Sequence, residues 1–247
     1  MIEHPSGVAP PPPPPEGGVA LTYPLRLEGD LDPHVSRWLW LVKWFLLIPH
    51  YVVLFFLSVA GFALTVVAFF AILVTARYPR AIFDFNVAVL RWWWRVSFYG
   101  YSALGTDRYP PFSFDANAGG YPATLDVPYP ERLSRGLVLV KWWLLAIPQY
   151  IIVAILTGSG RAVGLVGILV VVAAVVVLFT GRYPTDVFSL VMGLSRWAYR
   201  VSVYALLMRD EYPPFRLDLG GHENTAPPAP AHPTAPAPRP YAPPYGV

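Results

Sequence analysis

The 247-residue sequence contains no cysteine, which excludes disulfides, thiolate metal sites and cysteine nucleophiles. It is also poor in charge: 13% of its residues are Asp, Glu, Lys or Arg, against roughly 25% in an ordinary soluble domain. The long apolar stretches hold no acidic residue, so no carboxylate is expected within a hydrocarbon layer. His4, His34, His50, His222 and His232 show no metal-ligand spacing, and no metal is expected. Phosphate-cradling glycine loops, Gly-x-Ser-x-Gly and His-Glu-x-x-His are missing too, so neither catalytic residues nor a cofactor is expected. The first residues lack an apolar run of 7 to 15 residues that would mark a signal peptide. Insertion is therefore expected to be directed by internal segments.

What the sequence does have is apolar surface, with 55% hydrophobic residues and a mean hydropathy of +0.46. That surface is gathered in blocks, which points to an α-helical integral membrane protein. The ends differ from the middle. Residues 1–20 carry the run Pro10 to Pro15, and residues 220–247 are rich in Pro and Ala. Both read as disordered tails of polyproline character.

The middle is one pattern written twice. Lys43-Trp44-Phe45-Leu46-Leu47-Ile48-Pro49 returns as Lys141-Trp142-Trp143-Leu144-Leu145-Ala146-Ile147-Pro148. Arg77-Tyr78-Pro79 returns as Arg182-Tyr183-Pro184, Arg91-Trp92 as Arg196-Trp197, Arg95-Val96-Ser97 as Arg200-Val201-Ser202, and Tyr109-Pro110-Pro111-Phe112 as Tyr212-Pro213-Pro214-Phe215. The order is kept while the offset drifts from 98 to 105 and back to 103. Copy one is taken as residues 21–115 and copy two as 121–219, with 116–120 as the linker. Through these four blocks the sequence resembles the bacterial membrane family known as domain of unknown function 4389. That resemblance implies membrane embedding in bacteria and no activity.

Between Lys43 and Arg77 lie 33 uncharged residues, more than the roughly 20 that one crossing needs. A transmembrane helical hairpin is expected in each copy, at 38–75 with a turn near Ser58 to Gly61, and at 137–180 with a turn at Gly158 to Arg161. A third helix follows each hairpin, at 82–104 and 187–208. Its narrow polar stripe of Arg91 and Arg95, or Arg196 and Arg200, predicts an amphipathic helix lying in the interface. With four crossings, only Arg161 of the 18 Lys and Arg residues falls outside. The positive-inside rule then places both termini in the cytoplasm of a multi-pass plasma (inner) membrane protein, with parallel copies related by an axis along the membrane normal. Short β-strands are expected to open and close each copy, from the alternation at Leu21 to Glu28 and the stretches after each Tyr-Pro-Pro-Phe.

Arg91, Arg95, Arg196 and Arg200 are candidates for contact with anionic lipid phosphates, or for pairing with Asp84, Asp107 or Asp210. Trp92, Trp93, Trp94 and Trp197 are expected to anchor the helices at headgroup level. Lys43 and Lys141 are expected to snorkel, or to hold a lipid headgroup or a carboxylate. Pro49 and Pro148 mark helix kinks. The expected role is a non-catalytic accessory or scaffold that binds anionic lipid or a membrane partner, with a small transporter or channel second and a membrane enzyme third. Membrane lipids, a membrane protein or another copy of the chain are the partners that fit, and nucleic acid is not among them.

Overall fold

The computed structural model describes residues 23–159 and 162–222. Both tails and the Gly160-Arg161 break lie outside these residues. The chain is mostly helical. Strand β1 (Arg26–Gly29) precedes helices α1 (Trp40–Thr75) and α2 (Arg80–Tyr99). Copy two repeats this with β2 (Ala123–Asp126), α3 (Arg135–Val140), a π-helical segment (Lys141–Leu145), α4 (Ile147–Thr157), a short ladder of β3 (Gly158–Ser159) with β4 (Ala162–Val163), α5 (Leu165–Thr180) and α6 (Thr185–Ala205).

The hairpin expected at 38–75 is absent: α1 is one helix of 36 residues, about 54 Å long. Its supposed turn residues serve packing instead. Ser58 accepts a hydrogen bond from the Trp93 indole at 2.9 Å. Gly61 admits Asn86 so closely that a Cβ there would lie 2.9 Å from Asn86 Oδ1. The chain reverses at 76–79, and α2 returns along the stripe Lys43, Leu47, His50, Leu54, Gly61, Thr65, Ala68 and Ile72, which is the buried face of α1.

Residues 135–180 are the counterpart of α1, interrupted twice. The offset between copies is 98 at Lys43 and Lys141 but 99 at His50 and Gln149, so Ala146 is an extra residue. Seven α-helical steps bring a side chain back to within about 20° of the same face, and eight overshoot by about 80°. The π segment takes up that residue, so Lys141 and Gln149 both stay fully buried. The helix bends by 46° at this break, where Pro148 fits the first turn of α4. Pro49, in contrast, lies inside continuous α1.

The second interruption is the β3–β4 excursion, after which the offset is 105. Gly164 closes it, packed so tightly on Gly158 that a Cβ would stand 2.1 Å from the Gly158 nitrogen. Helix α5 then resumes the face that α4 left: buried Val166, Val170, Ala173 and Val177 match Gly61, Thr65, Ala68 and Ile72 of α1. The hairpin expected at 137–180 is therefore also absent. The chain reverses only at Gly181 to Pro184, since α6 must run its full length back to bring Asp210 to Lys141.

The predicted amphipathic helices exist as α2 and α6, but they form the centre of the molecule. No residue of α2 after Asp84, nor of α6 after Asp186, is exposed. Of the expected strands only the opening ones form, and they pair with each other. β1 lies antiparallel to β2 with Leu27 opposite Leu125, which are equivalent positions of the two copies. Trp94 likewise meets its equivalent Tyr199, edge on at 5.6 Å. Two such self-paired contacts define a pseudo-two-fold axis passing through the strand pair and between α2 and α6.

The copies run in opposite directions. Leu133 N donates to Ala76 O at 2.9 Å, which puts the start of α3 at the end of α1. At the other end Gly181 packs on the Arg37 guanidinium. The reason lies in the segment that opens copy two, which travels the length of α2: Tyr121 donates to Arg95 O, Leu125 O accepts from Arg91, and Tyr129 donates to Tyr78 O. Copies expected to be parallel along the helix direction are thus inverted along it.

Candidate functional site

The polar residues singled out in the sequence form duplicated internal clasps. Lys43 Nζ donates to Thr106 O at 2.7 Å and pairs with Asp107 at 2.9 Å, while Asp107 also accepts the Ser36 backbone N–H. In copy two Lys141 Nζ donates to Arg209 O at 3.0 Å and pairs with Asp210 at 2.8 Å, and Asp210 accepts the Ser134 N–H at 2.6 Å. The Lys43 ammonium also sits 4.4 Å from the Tyr99 ring centroid, and that of Lys141 5.5 Å from Tyr204. Each clasp ties the start of an outer helix to the turn after the inner one. Both lysines are fully buried, so they do not snorkel. The carboxylate that each holds is the chain's own.

Two turns further in, Trp92 Nε1 donates to His50 Nδ1 at 3.0 Å, and Trp197 Nε1 donates to Gln149 Oε1 at 2.7 Å. His50 stacks on Phe112 at 3.9 Å between centroids, and Gln149 Nε2 donates to Pro213 O at 3.0 Å. These polar side chains thus bind an indole and a Tyr-Pro-Pro-Phe segment rather than a helix carbonyl freed by proline.

The four arginines reach inward and across. Arg91 Nε donates to Leu125 O at 2.8 Å and Nη2 lies 3.4 Å from Asp126. Its counterpart Arg196 donates to Leu27 O at 2.8 Å, Asp218 O at 2.6 Å and Gly221 O at 2.7 Å. Arg95 is fully buried and donates to the carbonyls of Ser113, Asp115 and Ala116. Arg200 pairs with Asp218 at 2.6 Å. None pairs with Asp84, Asp107 or Asp210. The guanidinium forks satisfy loop and strand carbonyls that would otherwise be orphaned. Tyr23 and Tyr121 complete the lock by donating to the carbonyls of Arg200 and Arg95 in the opposite copy. Burial pushes both phenols well above their ordinary range, so they stay protonated donors.

The tryptophans expected at an interface are also internal. Trp92 and Trp94 are buried, Trp94 donating to Glu28 O at 3.0 Å, and Trp93 and Trp197 are half-buried. The exposed indoles are Trp38, Trp44, Trp142 and Trp143. Sequence reasoning missed these, although Trp44, Trp142 and Trp143 directly follow the buried lysines in the repeated block.

A second missed feature is a groove between the end of α1 and the start of α3, lined by Thr75, Ala76, Arg77, Arg132 and Arg135. All three arginines are exposed. Among the described residues none of them pairs with a carboxylate. Among these residues no cluster of His, Asp and Glu could hold a metal.

The family model described as domain of unknown function (DUF4389) matches residues 37–113 and 137–216. The chain belongs to this family. The two matched stretches are its tandem DUF4389 copies, and each contains a lysine clasp, an indole bond and an arginine pair in the same order. No curated protein and no solved structure matches the chain.

Proposed function

We propose that this DUF4389 protein is a membrane-embedded, non-catalytic accessory or scaffold protein of the bacterial plasma membrane that binds anionic lipid. One observation carries the reading. Among the described residues, every exposed large apolar side chain belongs to the outer helices and their immediate flanks or to the stretches at Tyr109 to Phe114 and Tyr212 to Leu219, and none to α2, α6 or the β1–β2 pair. An apolar surface of that extent, free of charge from Trp44 to Ala76, is incompatible with water. By length and composition one helix, α1, could cross a bilayer, and a second if residues 135–157 count as one bent span.

Lipid phosphate contact belongs on this reading to Arg77, Arg132 and Arg135 at the edge of the apolar surface, since Arg91, Arg95, Arg196 and Arg200 are engaged within the protein. Membranes from cells expressing the protein test the embedding. Retention after alkaline carbonate washing supports it, and release into the supernatant would end it.

A further inference from the structure

The layering of the molecule decides how it can sit in lipid. On α2, Arg91 donates to Leu125 O of β2 and the Arg95 carbonyl accepts from Tyr121, whereas Trp92, Val96 and Tyr99 face α1, about 80–140° around the helix from Arg91. The β1–β2 pair therefore lies on the far side of α2 and α6 from the outer helices. It stands over the middle of their length, with Arg26, Thr124 and Asp126 exposed.

If α1 stood across the bilayer, that two-stranded pair, with the charged side chains of Arg26 and Asp126 exposed on it, would sit at mid-depth in hydrocarbon. Charged side chains facing lipid at that depth are costly and rare. The helix itself, at about 54 Å, also outruns a hydrocarbon core of roughly 30 Å. We propose that the protein occupies a single leaflet. Helix α1 and residues 135–180 lie along the membrane plane among the acyl chains, and the strand pair faces water on one side. The pseudo-two-fold axis then coincides with the membrane normal, and the opposite directions of the copies cost nothing in depth. The proposal rests on the membrane reading above.

The absence of cysteine makes the test direct. Ala81 and Asp186 lie at opposite ends of the long axis, and Thr124 lies on the strand face. Single Ala81→Cys, Asp186→Cys and Thr124→Cys variants in sealed vesicles of both orientations should react with an impermeant maleimide from the same side, with no labelling from the other. Positions 81 and 186 labelling from opposite sides would overturn the proposal. Spin labels at Phe45→Cys, Phe56→Cys and Val67→Cys, on one face of α1, provide a second reading. Their depths should agree, whereas a crossing helix would spread them over about 33 Å. A protein that fails to float with vesicles and forms a soluble dimer would overturn the membrane reading itself, an outcome distinct from floating with two-sided labelling.

Discussion

The two copies solve one packing problem with different interiors. In copy one an uninterrupted α1 presents Gly61 and Thr65 to Asn86, and Asn86 Nδ2 donates to Thr65 Oγ1 and to Tyr78 Oη, both at 3.0 Å. The equivalent positions in copy two are Val166, Val170 and Val191, all buried and apolar. Copy one also has His50 where copy two has Gln149, yet both accept an indole N–H. The inward register is thus held more tightly than the chemistry that fills it. The single extra residue of copy two is absorbed without turning that register away, and the later insertion leaves the helix at β3 and returns to it after β4.

The strongest way to break this comparison is to disturb the register where nothing can absorb it. Deleting Phe56 should turn Gly61, Thr65, Ala68 and Ile72 by about 100° from α2 and abolish accumulation of folded protein, read by yield and monodispersity in detergent. Deleting Ala146 should convert the π segment into α-helix with Lys141 and Gln149 still inward, leaving the melting temperature within a few degrees. Equal loss in the two deletions would refute the register argument.

Next in size are the clasps. Asp107→Ala and Asp210→Ala each strand a buried ammonium, and each should cost about 3–5 kcal/mol, measured by thermal unfolding in detergent. A large cost at one position alone would show that the clasps are equivalent in geometry but not in energy. The arginines separate fold from lipid. Arg95→Gln or Arg196→Gln should destabilise the protein by about 1–3 kcal/mol per orphaned group. The triple variant Arg77→Gln, Arg132→Gln, Arg135→Gln should leave the melting temperature unchanged and reduce the phospholipid retained in native mass spectrometry. Unchanged retention would remove these arginines from the lipid-binding reading.

Smaller effects sharpen the contrast between polar and apolar interiors. Gly61→Val alone should destabilise by about 1–3 kcal/mol through overpacking against Asn86. Gly61→Val with Thr65→Val and Asn86→Val, which copies the interior of copy two, should recover most of that loss, because both hydrogen-bonding partners are then removed together. His50→Gln should be the mildest, within about 1 kcal/mol, as Gln149 already performs its task.

Much of this organisation is determined by the sequence alone. The repeat and its offsets are visible in it, as are family membership, the equivalence of Lys43 with Lys141 and of Arg91 with Arg196, and the two amphipathic helices, because these are local regularities of residue type and spacing. Only the tertiary structure decided what the polar stripes face. Periodicity places Arg91 and Arg95 on one side of a helix, but a phosphate and a ring of backbone carbonyls ask the same of a guanidinium. The repeat is equally silent on direction. Residues equivalent by sequence can pair within a copy or across to the other, and Tyr23 with Arg200, Tyr121 with Arg95 and Leu27 with Leu125 pair across. The turn expected at Ser58 to Gly61 failed for the same reason. A small polar pair in an apolar run marks a reversal when solvent meets it and a close helix contact when Trp93 and Asn86 do, and which of them arrives depends on a segment about 30 residues away in the chain.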